Sequence, residues 1–382
     1  MGIFTRKPRD HVSPATTITT TTHHEKAPRA IMTMSSKPTF GQWLKATWLD
    51  LATMLAMGMI GLGVYFAHPA PSRSFPIFFQ DGEIVYPEFA YPLRNEIVPI
   101  WAAALLAALV PIAVFLICQI RIRSFWDVNN ATIGLLYSLI TAAVFQVFLK
   151  WLIGGLRPHF LAVCKPNVPE VTAQEMGNGL RQIMYDRTVC TGDESEIDDS
   201  LESFPSGHST AAFAGFVFLF LYLNAKLKVW SNYHPAMWKL VALWAPILGA
   251  TLIAGALTID EYHNWYDCLA GAIIGTCMAF SSYRMVYASI WDWRTNHIPL
   301  NRGVPFAGRG YELEDATFTR KVGWGIGGGH FGGHHNGGVA NGHHANGMDM
   351  HDGSAFGQHA GGSSPLRKPV GGHTRNPSDT IV

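Results

Sequence analysis

Three short stretches of this 382-residue chain carry the side chains from which a reaction can be built. Residues 150–158 read Lys-Trp-Leu-Ile-Gly-Gly-Leu-Arg-Pro and set Lys150 and Arg157 seven positions apart. If a helix continues through them, both cations share a face two turns apart. Two cations on one face grip a phosphate dianion, the guanidinium through paired donors. Alone, the pair equally fits two side chains snorkelling to lipid headgroups. Residues 204–210, Phe-Pro-Ser-Gly-His-Ser-Thr, put the turn residues Pro205 and Gly207 ahead of an apolar run. A helix start presents unpaired N–H groups and the positive end of its dipole, which suits phosphate. Ser206 adds a hydroxyl donor, and His208 exchanges a proton near neutral pH. Alone, this is also a plain N-cap with a histidine beside it. Residues 257–267 hold His263 and Asp267 one helical turn apart. A carboxylate bonded to one imidazole nitrogen holds the ring and leaves the other nitrogen free to attack, although a capping pair has the same spacing. Together, two cations, a helix N-terminus, an acid histidine and an oriented nucleophilic histidine describe phosphoryl transfer without a metal.

The elements that must position these groups are membrane helices. Hydrophobic residues make up 48% of the chain and charged residues only 14%, against about 25% in soluble domains. Mean hydropathy is only +0.13 because polar ends dilute an apolar middle. A net charge of +1 offers no basic excess for nucleic acid. Crossing a hydrocarbon core of about 30 Å takes roughly 20 apolar helical residues. Six such runs occur, near 48–66, 97–120, 133–153, 208–223, 238–257 and 266–291. Several of them read as apolar all round, as lipid requires, rather than as the one-sided helices of a soluble core. The expected architecture is all-α: a six-transmembrane helical bundle over 45–291, with a disordered N-terminus at 1–40 and a low-complexity Gly/His-rich tail at 303–382.

Lys and Arg near the runs alternate in favour of one side. Lys26, Arg29, Lys37 and Lys45 precede the first run, Arg121 and Arg123 follow the second, Lys226, Lys228 and Lys239 follow the fourth, and Arg294 and Arg302 follow the sixth. The opposite loops carry Asp81, Glu83, Glu88, Glu96 and an acidic cluster at 193–202, alongside Arg73, Arg94, Lys165, Arg181 and Arg187. Both termini are expected in the cytosol, with all three reactive stretches at the lumenal or extracellular face. No apolar run lies in the first 30 residues, so no cleavable signal is expected. Histidine clusters in the tail resemble metal-binding tracts, but a flexible glycine tract is not a preorganised site. Cys118, Cys268 and Cys277 fall in apolar runs and read as inert. Cys164 and Cys190 share the long outer loop in an oxidising compartment, where a disulfide is expected.

The three stretches give the chain a resemblance to the type 2 phosphatidic acid phosphatase and haloperoxidase superfamily, specifically its six-span lipid phosphate phosphatases, including fungal enzymes of the diacylglycerol pyrophosphate phosphatase kind. Residues 150–158 match the family's Lys, six residues, Arg-Pro; residues 205–208 match its Pro-Ser-Gly-His; His263 and Asp267 match the end of its third motif. The resemblance covers about residues 45–291. It implies an integral membrane phosphatase acting on a phospholipid substrate, phosphatidate-type or diacylglycerol pyrophosphate, with no cofactor and no nucleic acid partner. His263 would form a phosphohistidine, Asp267 would orient it and His208 would protonate the leaving oxygen. Lys150, Arg157, Ser206 and the Gly207 amide would bind the phosphate. One departure matters: the third motif's Ser-Arg is Ala256-Leu257 here, and no Lys or Arg occurs between Lys239 and Arg284. Either phosphate binding is weaker, or Lys165, Arg181 or Arg187 fills the gap. The alternative is a catalytically impaired relative serving as a membrane binding or scaffold protein. A vanadate-dependent haloperoxidase shares this kind of anion pocket, but six spans disfavour it.

Overall fold

In lipid, a spanning segment must satisfy its backbone N–H and C=O groups internally, so a long apolar run becomes a helix. The computed structural model describes residues 37–67, 73–78, 83–168 and 177–302. The tail at 303–382, and residues 1–36 of the expected N-terminal segment, lie outside the described residues. In chain order the elements are α1 (Phe40–Tyr65), β1 (Phe75–Pro76), α2 (Ile100–Ile122), α3 (Phe125–Ile153), α4 (Phe160–Cys164), β2 (Met184–Tyr185), α5 (Glu194–Ser200), α6 (Gly207–Leu227), α7 (Met237–Ile259) and α8 (Trp265–Val286). Six of them, α1, α2, α3, α6, α7 and α8, are long and apolar enough to cross a membrane. At 21 to 29 residues they rise about 31–44 Å, and the chain is a multi-pass membrane protein.

α6 is the axle of the bundle. It packs against α2, α3, α7 and α8, while α1 lies on the outside against α3. Its Phe218 and Tyr222 interlock with Phe115 of α2 and Tyr283 of α8 in the main core. Two glycines of α8 allow its closest approach. A Cβ at Gly271 would meet the Ser206 carbonyl oxygen at 2.6 Å, and one at Gly275 would meet that of Thr210 at 2.5 Å. Small residues one turn apart let membrane helices touch backbone to backbone. Here they draw the first turn of α6 against α8, and so bring the second reactive stretch to the third.

α3 begins eight residues earlier than the apolar pattern predicts. Ser124 caps it, its hydroxyl accepting from the Asp127 N–H at 3.3 Å. The polar residues that interrupt the pattern, Asp127 and Asn130, are buried and bonded. Lys226 Nζ, Tyr222 OH, Tyr287 OH and Gln119 Nε2 all donate to the Asp127 carboxylate, at 2.5, 2.9, 3.1 and 2.9 Å. Lys228 Nζ donates to the Trp293 carbonyl, to Asn296 Oδ1 and towards His297 Nδ1, at 2.5, 2.7 and 2.8 Å.

At the other end of the bundle the connections build a small cap, where the sequence suggests only loops. β1 and β2 pair antiparallel, Phe75 opposite Tyr185 and Pro76 opposite Met184. They cover a second core with Phe160, Val163, Ile197 and Leu201. A Cys164–Cys190 disulfide crosses this cap. Of the other cysteines, Cys118 and Cys268 are buried and Cys277 is exposed.

Candidate active site

The three reactive stretches meet under the cap, at the end of α3, the start of α6 and the α7–α8 connection. Lys150 and Arg157 do not share a helical face, contrary to the spacing. α3 stops at Ile153, and Gly154 and Gly155 follow at φ of +55° and +132°. A Cβ at Gly154 would stand 2.7 Å from the Leu201 carbonyl oxygen, so glycine is required. The turn is laced to the segment before α6: the Gly155 and Arg157 N–H groups donate to the Leu201 and Ser200 carbonyls at 2.7 and 2.9 Å, and the Ser203 N–H returns to the Gly155 carbonyl at 3.1 Å. Lys150 Nζ lies 3.5 Å from Glu202 Oε2, and Arg157 Nη2 donates to Asp199 Oδ1 at 2.7 Å. Arg157 is buried, its guanidinium 5.3 Å from the centre of the Tyr262 ring.

Ser206 is the N-cap of α6, and its Oγ accepts from the Ser209 N–H at 3.4 Å. The Ser206 N–H in turn donates to the Asp267 carbonyl at 3.1 Å, which joins the second stretch to the third. Gly207 opens the helix, and His208 follows, buried. Gln146 of α3 steadies the turn by donating to the Pro205 carbonyl at 3.0 Å.

His263 immediately precedes Asn264, the N-cap of α8. Asp267 sits in the first turn, and its Oδ2 accepts from the Asn264 N–H at 3.0 Å. The capping role and the imidazole-facing role therefore coexist: His263 Nδ1 lies 3.7 Å from the same oxygen. Ser203 completes the arrangement, its Oγ donating to Asp267 Oδ2 at 2.5 Å and standing 3.5 Å from His263 Nδ1. With Nδ1 turned to these groups, Nε2 is the nitrogen left to attack. Burial pushes the His263 imidazole down to about 4, against the opposing pull of Asp267 and with Arg157 and Lys150 adding to the fall. At neutral pH its lone pair is free. The His208 and His263 ring centres are 6.3 Å apart. Several buried polar atoms here have no partner: Arg157 Nε, His208 Nε2, Ser209 Oγ and Asp267 Oδ1. Unpaired buried groups cost free energy, and a site built for an anionic ligand offers an explanation for the donors among them.

Residues 131–291, which contain all three stretches, match the PAP2 superfamily. Lipid phosphate phosphatase 1 of Arabidopsis thaliana is 32% identical over 244 residues, covering 64% of this chain and 68% of the relative. The chain belongs to the PAP2 superfamily. A PA-phosphatase related-family protein of Dictyostelium discoideum is 35% identical over 59% of this chain and 66% of its own length. Diacylglycerol pyrophosphate phosphatase 1 of Saccharomyces cerevisiae is 28% identical over 64% of this chain and 80% of its own. The chain thus spans about two thirds of the first of these relatives. No solved structure matches.

Among the described residues, none of the cations considered for the gap left by Leu257 is paired with a site residue. Arg187 is engaged by Asp198 and Glu194, while Lys165 and Arg181 are exposed. The cations acting on His263 are Arg157 and Lys150. Leu257 is fully buried, and its carbonyl accepts from the Tyr262 and His263 N–H groups at 3.2 Å each, shaping the turn that carries His263. Sequence reasoning missed Ser203, Asp199 and Glu202. Ser203 stands two residues before the Pro-Ser-Gly-His motif, the one signal that points to it. The two acids lie in a cluster read only as net charge.

Proposed function

We propose that this protein is an integral membrane lipid phosphate phosphatase acting on phosphatidate-type phosphomonoesters or on diacylglycerol pyrophosphate. The observation that carries the reading is the pair of buried histidines 6.3 Å apart, one turned by Nδ1 to Asp267 and Ser203, the other at a helix N-terminus. Lys150, Arg157, Ser206 and the Gly207 N–H bind the phosphate. Nε2 of His263 donates its electron pair to phosphorus as the phosphorus–oxygen bond to the lipid breaks. His208 passes its proton to the departing oxygen. Water then attacks the phosphohistidine, His208 takes the water's proton, and inorganic phosphate leaves with His263 restored. Asp267, itself held by Ser203 and Asn264, keeps the His263 ring in register. Relatives named as lipid phosphate phosphatases and a diacylglycerol pyrophosphate phosphatase support the substrate class.

The site faces the lumen or the exterior, and both termini face the cytosol. Exposed Lys37, Lys45, Arg121, Arg123 and Arg294 at the opposite end support this orientation. Lys226, Lys228 and Lys239 are buried and bonded, so they weigh less than their position in sequence suggests. Cysteine labelling of sealed vesicles checks it: a reporter after residue 300 reacting from the same side as one in 177–195 overturns the orientation.

The reading is tested by phosphate release from short-chain phosphatidate, lysophosphatidate, diacylglycerol pyrophosphate and sphingoid phosphates, by purified protein in EDTA with a His263→Ala control. Leu257 favours a second reading, an impaired relative acting as a membrane binding or scaffold protein. Absence of release from every lipid by the wild type selects it.

A further inference from the structure

We propose that Glu96, from the connection between α1 and α2, is a positioning residue for the acid that protonates the leaving group. The inference rests on the phosphatase reading and extends it to a residue outside all three motifs. Glu96 Oε1 lies 3.9 Å from His208 Nε2, a buried nitrogen with no hydrogen-bond partner. The ring also has a hydrogen bond to the Val98 backbone, two residues along. His208 thus meets one short segment at two of its residues. That segment is itself fixed. The Glu96 carboxylate accepts from the Ile100 N–H at the start of α2. The Ile97 N–H donates to Asp260 Oδ2 at 3.1 Å, and Arg94 donates to the Ile259 carbonyl at 3.2 Å. The same strap therefore spans from the His208 ring to the connection that carries His263.

The separation of 3.9 Å exceeds a hydrogen bond, and the bridging oxygen of the substrate takes its proton at that nitrogen. A carboxyl beside Nε2 favours the tautomer and charge state that keep a proton there. As the His263–phosphorus bond forms and the phosphorus–oxygen bond breaks, the proton moves from His208 Nε2 to the departing oxygen, and Glu96 is unchanged at the end. Burial raises the Glu96 carboxyl above the usual range, Arg157 opposes this, and Asp199 and Asp260 add to it.

The contribution is needed only where the leaving oxygen needs a proton. A lipid alkoxide does; a nitrophenolate does not. kcat/KM reports the steps up to departure of the alcohol, so it is measured for phosphatidate and for p-nitrophenyl phosphate in the full-length protein. Glu96→Gln, which keeps an acceptor for the Ile100 N–H, should lower kcat/KM for phosphatidate by about 10- to 100-fold and that for p-nitrophenyl phosphate by less than about threefold. Glu96→Asp should recover part of the loss. In a His208→Ala background, Glu96→Gln should cost phosphatidate turnover nothing more. Vanadate inhibition constants, read alongside, should stay within about twofold of wild type, which shows a folded phosphate site. Equal losses on both substrates, an undiminished phosphatidate rate, or full additivity with His208→Ala would each overturn the role. A wild type inactive on both substrates overturns the phosphatase reading itself, and this inference with it.

Discussion

The two ends of the bundle both bury ions, and they treat them in opposite ways. At the end holding Asp127, the buried Asp127 and Lys228 are filled: four donors converge on the carboxylate, and Lys228 Nζ meets three acceptors. At the capped end, Arg157 Nε and His208 Nε2 are buried without partners, and the His263 imidazole is held down to about 4 by burial. Saturated ions of the first kind define a unique packing and have no valence left for a ligand. Unsaturated ones of the second kind are expensive in the empty protein and become useful only when something arrives to complete them. Burial of charge alone does not distinguish a strut from a site; the count of unfilled donors does.

Substitutions at each end should separate activity from stability. The largest effect is expected from His263→Ala, a loss of at least about 10⁵-fold in turnover with little change in melting temperature; full turnover, with wild-type contamination excluded, would remove the covalent mechanism. His208→Ala should cost about 10² to 10⁴-fold, leaving measurable phosphate release. At the other end the pattern reverses. Asp127→Ala strands Lys226 in the interior and should destabilise the fold by about 3–5 kcal/mol, read as a lower melting temperature in detergent, while turnover per folded molecule stays within about twofold. A catalytic loss without a stability loss would erase the contrast. Replacing Cys164 and Cys190 by serine opens a loop closed across a sequence separation of 26 and should cost the cap about 3 kcal/mol on the chain-entropy account; peptide mapping that finds both thiols free in the native protein refutes this. The smallest effect is expected at Leu257. Leu257→Arg, alone or with Ala256→Ser, should tighten vanadate inhibition about tenfold by adding one charged donor; no tightening means that this position contributes packing alone.

The six spans were legible because apolar length is a direct demand of the bilayer. The start of α3 was misjudged because polar residues there are satisfied from elsewhere: Asp127 and Asn130 shorten the apolar run, but bonds to α6 and to the segment after α8 keep them inside α3. The principal site residues were legible because their spacing is local. What surrounds them was not. Ser203 reaches Asp267 across 64 positions, and Glu96 reaches His208 across more than a hundred; contacts of that range leave no periodicity. The seven-residue spacing of Lys150 and Arg157 suggested one helical face, whereas the two glycines between them end the helix. The cap escaped notice because its strands are two residues long and its core is drawn from four separate stretches.

The acids that hold the two cations have a consequence for how the pocket fills. Arg157 and Lys150 already have carboxylates beside them, from Asp199 and Glu202, so the resting pocket carries its own counter-ions. A phosphate that takes those same donors arrives by exchange, not by addition, and its affinity is a difference between two ion pairs. Both displaced groups come from one stretch, the end of α5 and the turn that follows it into α6. Its backbone stays laced to the Gly154–Gly155 turn whether the pocket is empty or loaded, so occupancy should be readable in the two carboxylates alone, released to water as the phosphate takes their partners.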